Sequence, residues 1–219
     1  MSSIALARVY QQSFEAHPWT TLAITNGALS AFSDVVAQFT QRAICDPKGR
    51  DSHDRPPFDL TRTARFFAFG FSMGPVIGRW NVFLEKNFPL RAPSLTGRHG
   101  KGKVSLKALG KRVAADQILM APAGLALFLG SMGIMEGRDG RHIQEKFRDL
   151  YKPLIITNWQ VWPLVQLVNF RFMPLAYRVP FQSSCGVFWT LYLSLANSRE
   201  NAQEDRRDQL RKTLDSQKA

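Results

Sequence analysis

The stretch from Trp159 to Arg178, WQVWPLVQLVNFRFMPLAYR, constrains the fold more than any other part of the chain. It is apolar enough to enter a bilayer, yet it holds Gln160, Gln166, Asn169 and Arg171 among Pro163, Pro174 and a run of aromatic residues. Polar groups are costly in hydrocarbon, so a helix carrying this many must turn them toward protein partners or a water-filled cavity. Helical spacing puts Trp162, Gln166 and Asn169 on one face and leaves Leu164, Leu167 and Val168 for lipid or packing.

Mean hydropathy lies slightly below zero, which on its own describes a water-soluble domain. The average hides a segregation of charge. Apolar segments run from Trp19 to Gln41, Phe66 to Leu84, Val113 to Met135, Pro153 to Leu175 and Val179 to Ala196. Of 29 basic and 17 acidic residues, only Asp34, Arg79, Asp116 and Arg171 lie inside them, while Arg65 and Arg178 abut them. The segments are near the roughly 20 residues that a bilayer helix requires, and the second lacks the polar stripe of a water-facing helix. The expectation is an all-α integral membrane helical bundle of four spans. The fifth segment either spans too, lies in the interface or packs as the last bundle helix.

Residues 1–18 form an amphipathic N-terminal segment, with Leu6, Val9, Tyr10 and Phe14 on one side of a short helix that His17 and Pro18 end. The bundle domain covers 19–196, and the mixed-charge tail, 197–219, reads as disordered or as a solvated helix. Cys45 and Cys185 offer no logic for a disulfide, which points to a reduced or internal compartment. In a four-span arrangement the N-terminus, the loop Glu85 to Arg112 and the tail share the side richer in Lys and Arg, and the positive-inside rule turns it to the matrix or cytosol. A fifth span would reverse that bias.

Within the spans the polar residues are patterned. Asn26, Ser30, Asp34 and Gln38 recur every four residues as one stripe on an otherwise apolar helix, and such a stripe faces inward. Asp116 and Gln117 open the third span, and Gln166 and Asn169 share a face of the fourth. Gly70, Gly74 and Gly78 repeat at the same four-residue spacing, a helix-packing seam that admits another backbone or an oligomer partner. Unpaired charge at membrane depth is costly, so Arg65, Arg79 and Arg171 are the expected charge partners of Asp34 and Asp116. Polar stripes also serve packing alone, each interhelical hydrogen bond contributing roughly 1 kcal/mol.

Other chemistries find little support. GRHGKGKVS, Gly97 to Ser105, matches a phosphate-binding loop at Gly97, Gly102 and Lys103, but Val104 stands where the hydroxyl belongs and no apolar strand precedes it. The net charge of +12 arises largely from Glu85 to Arg112, so it suggests lipid headgroups rather than nucleic acid. His17, His53, His99 and His142 lie outside the spans without metal-ligand spacing or a nucleophile, and the expectation is no enzyme, no cofactor and no metal.

The order of motifs resembles a known family. Tyr10 with HPW at His17 to Trp19 is followed by SDVVAQ at Ser33 to Gln38, RFFAFGFSMGPVIGRW at Arg65 to Trp80, Asp116 and Gln117 with Pro122, NWQVWPLVQLVNFRFMPLAYR and a closing WTLYLS. Together they are similar to the integral membrane family of the twenty-two-kilodalton peroxisomal membrane protein and its mitochondrial relatives, Mpv-seventeen and Sym-one. Ser33 departs from the family's usual glycine, as does Arg79-Trp80-Asn81 from its usual run. The resemblance implies a small four-span, channel-like protein of the mitochondrial inner membrane, or alternatively the peroxisomal membrane. It further implies a weakly selective pore or transporter for small metabolites that supports mitochondrial metabolite homeostasis. Asn26, Ser30, Asp34, Gln38, Asp116, Gln117, Gln166 and Asn169 would line its lumen, and arginines facing that lumen would favour anions. The competing expectation is a non-conducting scaffold, a homo-oligomer joined through its glycine seam.

Overall fold

The computed structural model describes residues 3–44, 57–90 and 105–191, and every element in them is helical. The phosphate-loop match up to Val104, Cys45, His53, His99 and the tail lie outside the described residues. The elements are α1 (Ser3–Ala16), α2 (Pro18–Ile44), α3 (Leu60–Asn87), α4 (Leu106–Ala115), a wide turn (Asp116–Met120), α5 (Ala121–Met135), α6 (Gly140–Phe172) and α7, residues 175–191. The expected amphipathic helix is α1. The fourth segment ends at Phe172 rather than Leu175, because Met173 precedes Pro174 and is driven to an extended ψ of 127°.

Local chemistry sets the helix ends. Asp59, Ser105 and Asp139 each accept a hydrogen bond from the backbone N–H three residues on, satisfying donors that α3, α4 and α6 would otherwise orphan. At the end of α5, Gly137 takes a φ of 70°, and Arg138 N–H closes back on the Gly133 carbonyl at 3.0 Å, reversing the chain into α6. Between α4 and α5 the Ala121 N–H bonds to the Asp116 carbonyl, five residues back. Pro122 accounts for that widening: its ring clashes with the carbonyl an α-helix would place at Ile118, and its nitrogen has no proton to offer. The extra residue in the turn lets Asp116 and Gln117 both point inward.

The glycine seam is where α3 meets α2. A Cβ at Gly70 would overlap Ser30 and lie 2.8 Å from the Asn26 carbonyl oxygen, and one at Gly74 would lie 2.8 Å from the Leu22 carbonyl carbon. Gly78 would strike the Leu22 side chain, and on the opposite helix Gly27 sits against Phe67 and Phe71. Close backbone approach over this length joins α2 and α3 into an antiparallel hairpin. The seam is therefore filled within the chain, by α2.

Burial departs from that of a water-soluble fold, since polar side chains make up half of the buried set. Among the described residues eleven polar or charged side chains are buried, Asp34 and Asn169 with them, and so are eleven apolar ones. Phe32, Phe39, Phe83, Ile118, Leu164 and Phe188 meanwhile stand half exposed or more, spread over several helices. Such an exterior suits a hydrocarbon surround. Among the described residues one helix, Leu106–Met135, is long and apolar enough by itself to cross a bilayer. At the start of α7 the Tyr10 hydroxyl donates to the Ala176 carbonyl at 2.6 Å, pinning α1 there. Burial, and after it Tyr177, pushes that hydroxyl up to about 12, so it stays a donor throughout the physiological range.

Two stability measurements check this packing. Gly74→Leu should lower the unfolding free energy in detergent by more than the about 1–3 kcal/mol of ordinary overpacking, since backbone rather than side chain stands in the way. Tyr10→Phe should cost about 1 kcal/mol. An unchanged melting curve for Gly74→Leu would contradict the seam.

Candidate functional site

Three polar clusters join the helices, and a cavity lies among them. The first surrounds Asp116. Its Oδ1 accepts from Trp80 Nε1 at 3.0 Å, and its Oδ2 accepts from Gln166 Nε2 at 2.9 Å and Gln117 Nε2 at 3.0 Å. Gln166 Oε1 in turn accepts from Asn169 Nδ2 at 2.9 Å, and the Gln117 carbonyl accepts from Trp159 Nε1 at 3.0 Å. Three N–H donors on one carboxylate hold it as an acceptor without any arginine. The expected ion pair for Asp116 is thus replaced by neutral donors from α3 and α6.

The second cluster is built on Asp34. Arg62 Nε approaches its Oδ1 to 2.7 Å, while Gln38 Nε2 and Thr63 Oγ1 both donate to Oδ2 at 2.7 Å. Gln38 also grips the backbone of Asp59, accepting from its N–H at 2.9 Å and donating to its carbonyl at 3.0 Å. The end of α2 is thereby locked to the start of α3. Arg62, and not Arg65, Arg79 or Arg171, is the partner of Asp34. Arg65 instead lies 3.5 Å from Asp59, Arg79 stacks over Trp19 and Arg171 over Phe172. Arg79 and Arg171 are exposed, so their long stems carry charge outward rather than inward.

Asn26 makes the third junction. Its Nδ2 donates to the Gly70 carbonyl at 2.6 Å and its Oδ1 accepts from the Ser183 hydroxyl, so one side chain ties α2 to α3 and α7. Nothing in the sequence pairs Ser183 with Asn26, because the segment that carries it gives no sign of which helix it meets.

A cavity of about 370 Å³ lies where α2, α3, the wide turn with α5, α6 and α7 converge. Of the expected lumen residues Asn26, Ser30 and Asp116 reach its wall, whereas Asp34, Gln38, Gln117, Gln166 and Asn169 do not. Ser33, Asn158, Trp162, Gln182 and Ser183 also line it. Asn158 Oδ1 and Trp162 Nε1 are buried with no hydrogen-bond partner among the described residues. Asp116 is the one charged side chain among the lining residues described.

Gln166→Leu should cost about 2 kcal/mol in unfolding free energy, since it strips a donor from Asp116 and an acceptor from Asn169. Leu167→Ala, on the exposed face, should cost less than half as much. Equal losses would mean that the network does not organise the bundle.

Comparison with known proteins finds relatives along most of the chain. The Mpv17 / PMP22 family matches over residues 133–194. The protein named sym-1 of Neurospora crassa is 37% identical over 87% of this chain and 98% of its own length. The mitochondrial inner membrane protein Mpv17 of Xenopus laevis is 34% identical over 86% and 95%, and SYM1 of Saccharomyces cerevisiae 33% identical over 89% and 91%. No solved structure matches significantly. With more than 30% identity to relatives covered almost end to end, the chain belongs to the Mpv17 / PMP22 family.

Proposed function

We propose that this protein provides a gated pathway for a small polar metabolite across the mitochondrial inner membrane, the location carried in the name of its Xenopus relative. In this reading α2, α3, the α4–α5 rod and α6 are the four spans, and α7 crosses as a fifth helix. Ala176 and Arg178 at one end of α7 meet Tyr10 and Glu85, while Trp189 and Thr190 near the other reach the cavity wall shared with Ser33 and Phe66. The first half of α6, with Arg141, Lys146, Arg148 and Lys152, extends beyond the hydrocarbon, because 33 residues of helix are longer than a bilayer core is thick.

The observation that carries the proposal is the pair of unpartnered groups, Asn158 Oδ1 and Trp162 Nε1, on the wall of a cavity of solute size. A buried acceptor and donor left unsatisfied cost free energy, and a polar solute would satisfy both. In this reading the described conformation is the closed one. Along α3 the cavity is lined by residues between Phe66 and Ile77; the Asp34–Arg62–Thr63 cluster lies about one turn before them and the Glu85–Arg178 ion pair about two turns beyond. One cluster ties α3 to α2 and the other ties its far end to α7, so breaking one opens one side without unpicking the other. Arg65, Arg79 and Arg171 are absent from the wall, and the expected anion preference loses its physical basis. Asp116 there favours neutral or cationic solutes.

Gly124 supplies the test. It lines the cavity, and a Cβ added to it meets nothing within 4 Å. Gly124→Leu should therefore fill the space with little change in melting temperature and reduce solute flux in proteoliposomes at least about tenfold, whereas Arg62→Gln should raise it by loosening one closure. Wild-type protein that is folded and inserted yet passes nothing from a panel of small polar solutes would refute the pathway.

A further inference from the structure

Three helix ends meet beside the second closure, the last turns of α3 and α6 and the first turn of α7, and Arg112 reaches them from the last turn of α4. Arg112 Nε donates to the Phe88 carbonyl at 2.8 Å, and Arg178 Nε to the Met173 carbonyl at 3.2 Å, so the two arginines cap the carbonyl ends of α3 and α6. Capping uses one N–H of each. A guanidinium has five, and its forked end remains for other work. Arg178 directs Nη1 to Glu85 at 2.8 Å, but Arg112 Nη1 is buried without a hydrogen-bond partner among the described residues. Arg112 itself is only 1% exposed.

These groups line a second cavity, of about 540 Å³, whose wall also includes Arg171, Leu90, Phe172 and Pro174. Arg112, Arg171 and Arg178 face one carboxylate, Glu85, and that carboxylate is half exposed. Two positive charges are left uncompensated in a partly buried site, and the N-terminus of α7 adds the positive end of its dipole. An anion with several acceptor oxygens would answer the unpaired Arg112 nitrogen and the excess charge together. The rim is apolar, with Phe172 67% exposed beside it. A free anion has no use for such a rim, whereas acyl chains would lie along it.

The geometry points to a phosphate-binding site formed by Arg112, Arg171 and Arg178, and to the headgroup of an anionic phospholipid as its occupant. Its position against the Glu85–Arg178 pair makes the bound lipid a brace for that closure. The site stands independently of solute passage, because its recognition chemistry requires nothing from the central cavity.

Native mass spectrometry of the full chain tests it, with dioleoylphosphatidylglycerol and dioleoylphosphatidylcholine offered in equal amounts. Wild type should retain the anionic lipid in preference to the zwitterionic one. Arg171→Gln, at an exposed position that leaves both helix caps intact, should weaken that preference about fivefold, the effect of one basic residue near a headgroup. Arg112→Gln should weaken it further if the variant folds. Glycerol-3-phosphate and inorganic phosphate at millimolar concentration form the competing arm. Failure to displace the lipid supports the headgroup, and ready displacement overturns the lipid in favour of a soluble phosphate. Equal retention of both lipids, or a preference untouched by Arg171→Gln, overturns the site altogether.

Discussion

Asp116 is a carboxylate buried among helices with no cation among the described residues touching it, and the rest of the bundle is arranged to make that tolerable. Its three donors come from Trp80 on α3, Gln166 on α6 and Gln117 beside it, so one side chain fixes how three parts of the chain meet. Removing a charge from water costs several kcal/mol unless donors replace the lost hydration, and neutral N–H groups can do so without the entropy of holding a long arginine. The wide turn before Pro122 is part of the same solution, because it brings Gln117 inward next to Asp116. A local backbone irregularity thereby becomes a tertiary junction.

The same economy runs through the other contacts. Where polar groups cannot be left to lipid, they are spent joining helices: Asn26 bonds to α3 and α7, and Asp34 with Gln38 grips the first turn of α3. Where backbones must come close, glycine clears the space, and the hairpin of α2 and α3 depends on Gly27, Gly70 and Gly74. Apolar residues are left for the outside, as the exposed phenylalanines of α2, α3, α6 and α7 demonstrate. Polar adhesion between five helices leaves a cavity at their common junction, with a cluster of charges on either side of it.

Much of this was legible in the sequence because it depends on spacing within one helix. The stripe Asn26, Ser30, Asp34 and Gln38, the pair Gln166 and Asn169, and the seam Gly70, Gly74 and Gly78 each follow from a four- or three-residue step. Their partners follow from which helices are neighbours, and one chain's periodicity does not carry that information. Arg62 lies ahead of the apolar run that marks the second span, so periodicity points instead to Arg65 at the edge of that run, three residues further round the helix. Trp80 reads as an apolar residue until its indole N–H is seen on Asp116. Asn158, Gln182 and Ser183 are dispersed among aromatic and small residues, and only the convergence of α6 and α7 gathers them at one cavity. The polar wall is shorter than the stripes imply for a related reason: the side chains of Asp34, Gln38, Gln166 and Asn169 hydrogen-bond within their own helices and turn away from the cavity.

Whether the cavity communicates with the aqueous phases is the central claim, and a thiol placed inside it measures this directly. With Cys45 and Cys185 replaced by serine, Gly124→Cys can be labelled by a membrane-impermeant methanethiosulfonate applied to either face of oriented proteoliposomes. The account predicts slow labelling in the closed protein and markedly faster labelling when Arg62→Gln breaks the Asp34 cluster. A thiol that stays unlabelled from both faces, with that cluster broken and the protein still folded, would mean that the cavity is a sealed packing space and the protein no conduit.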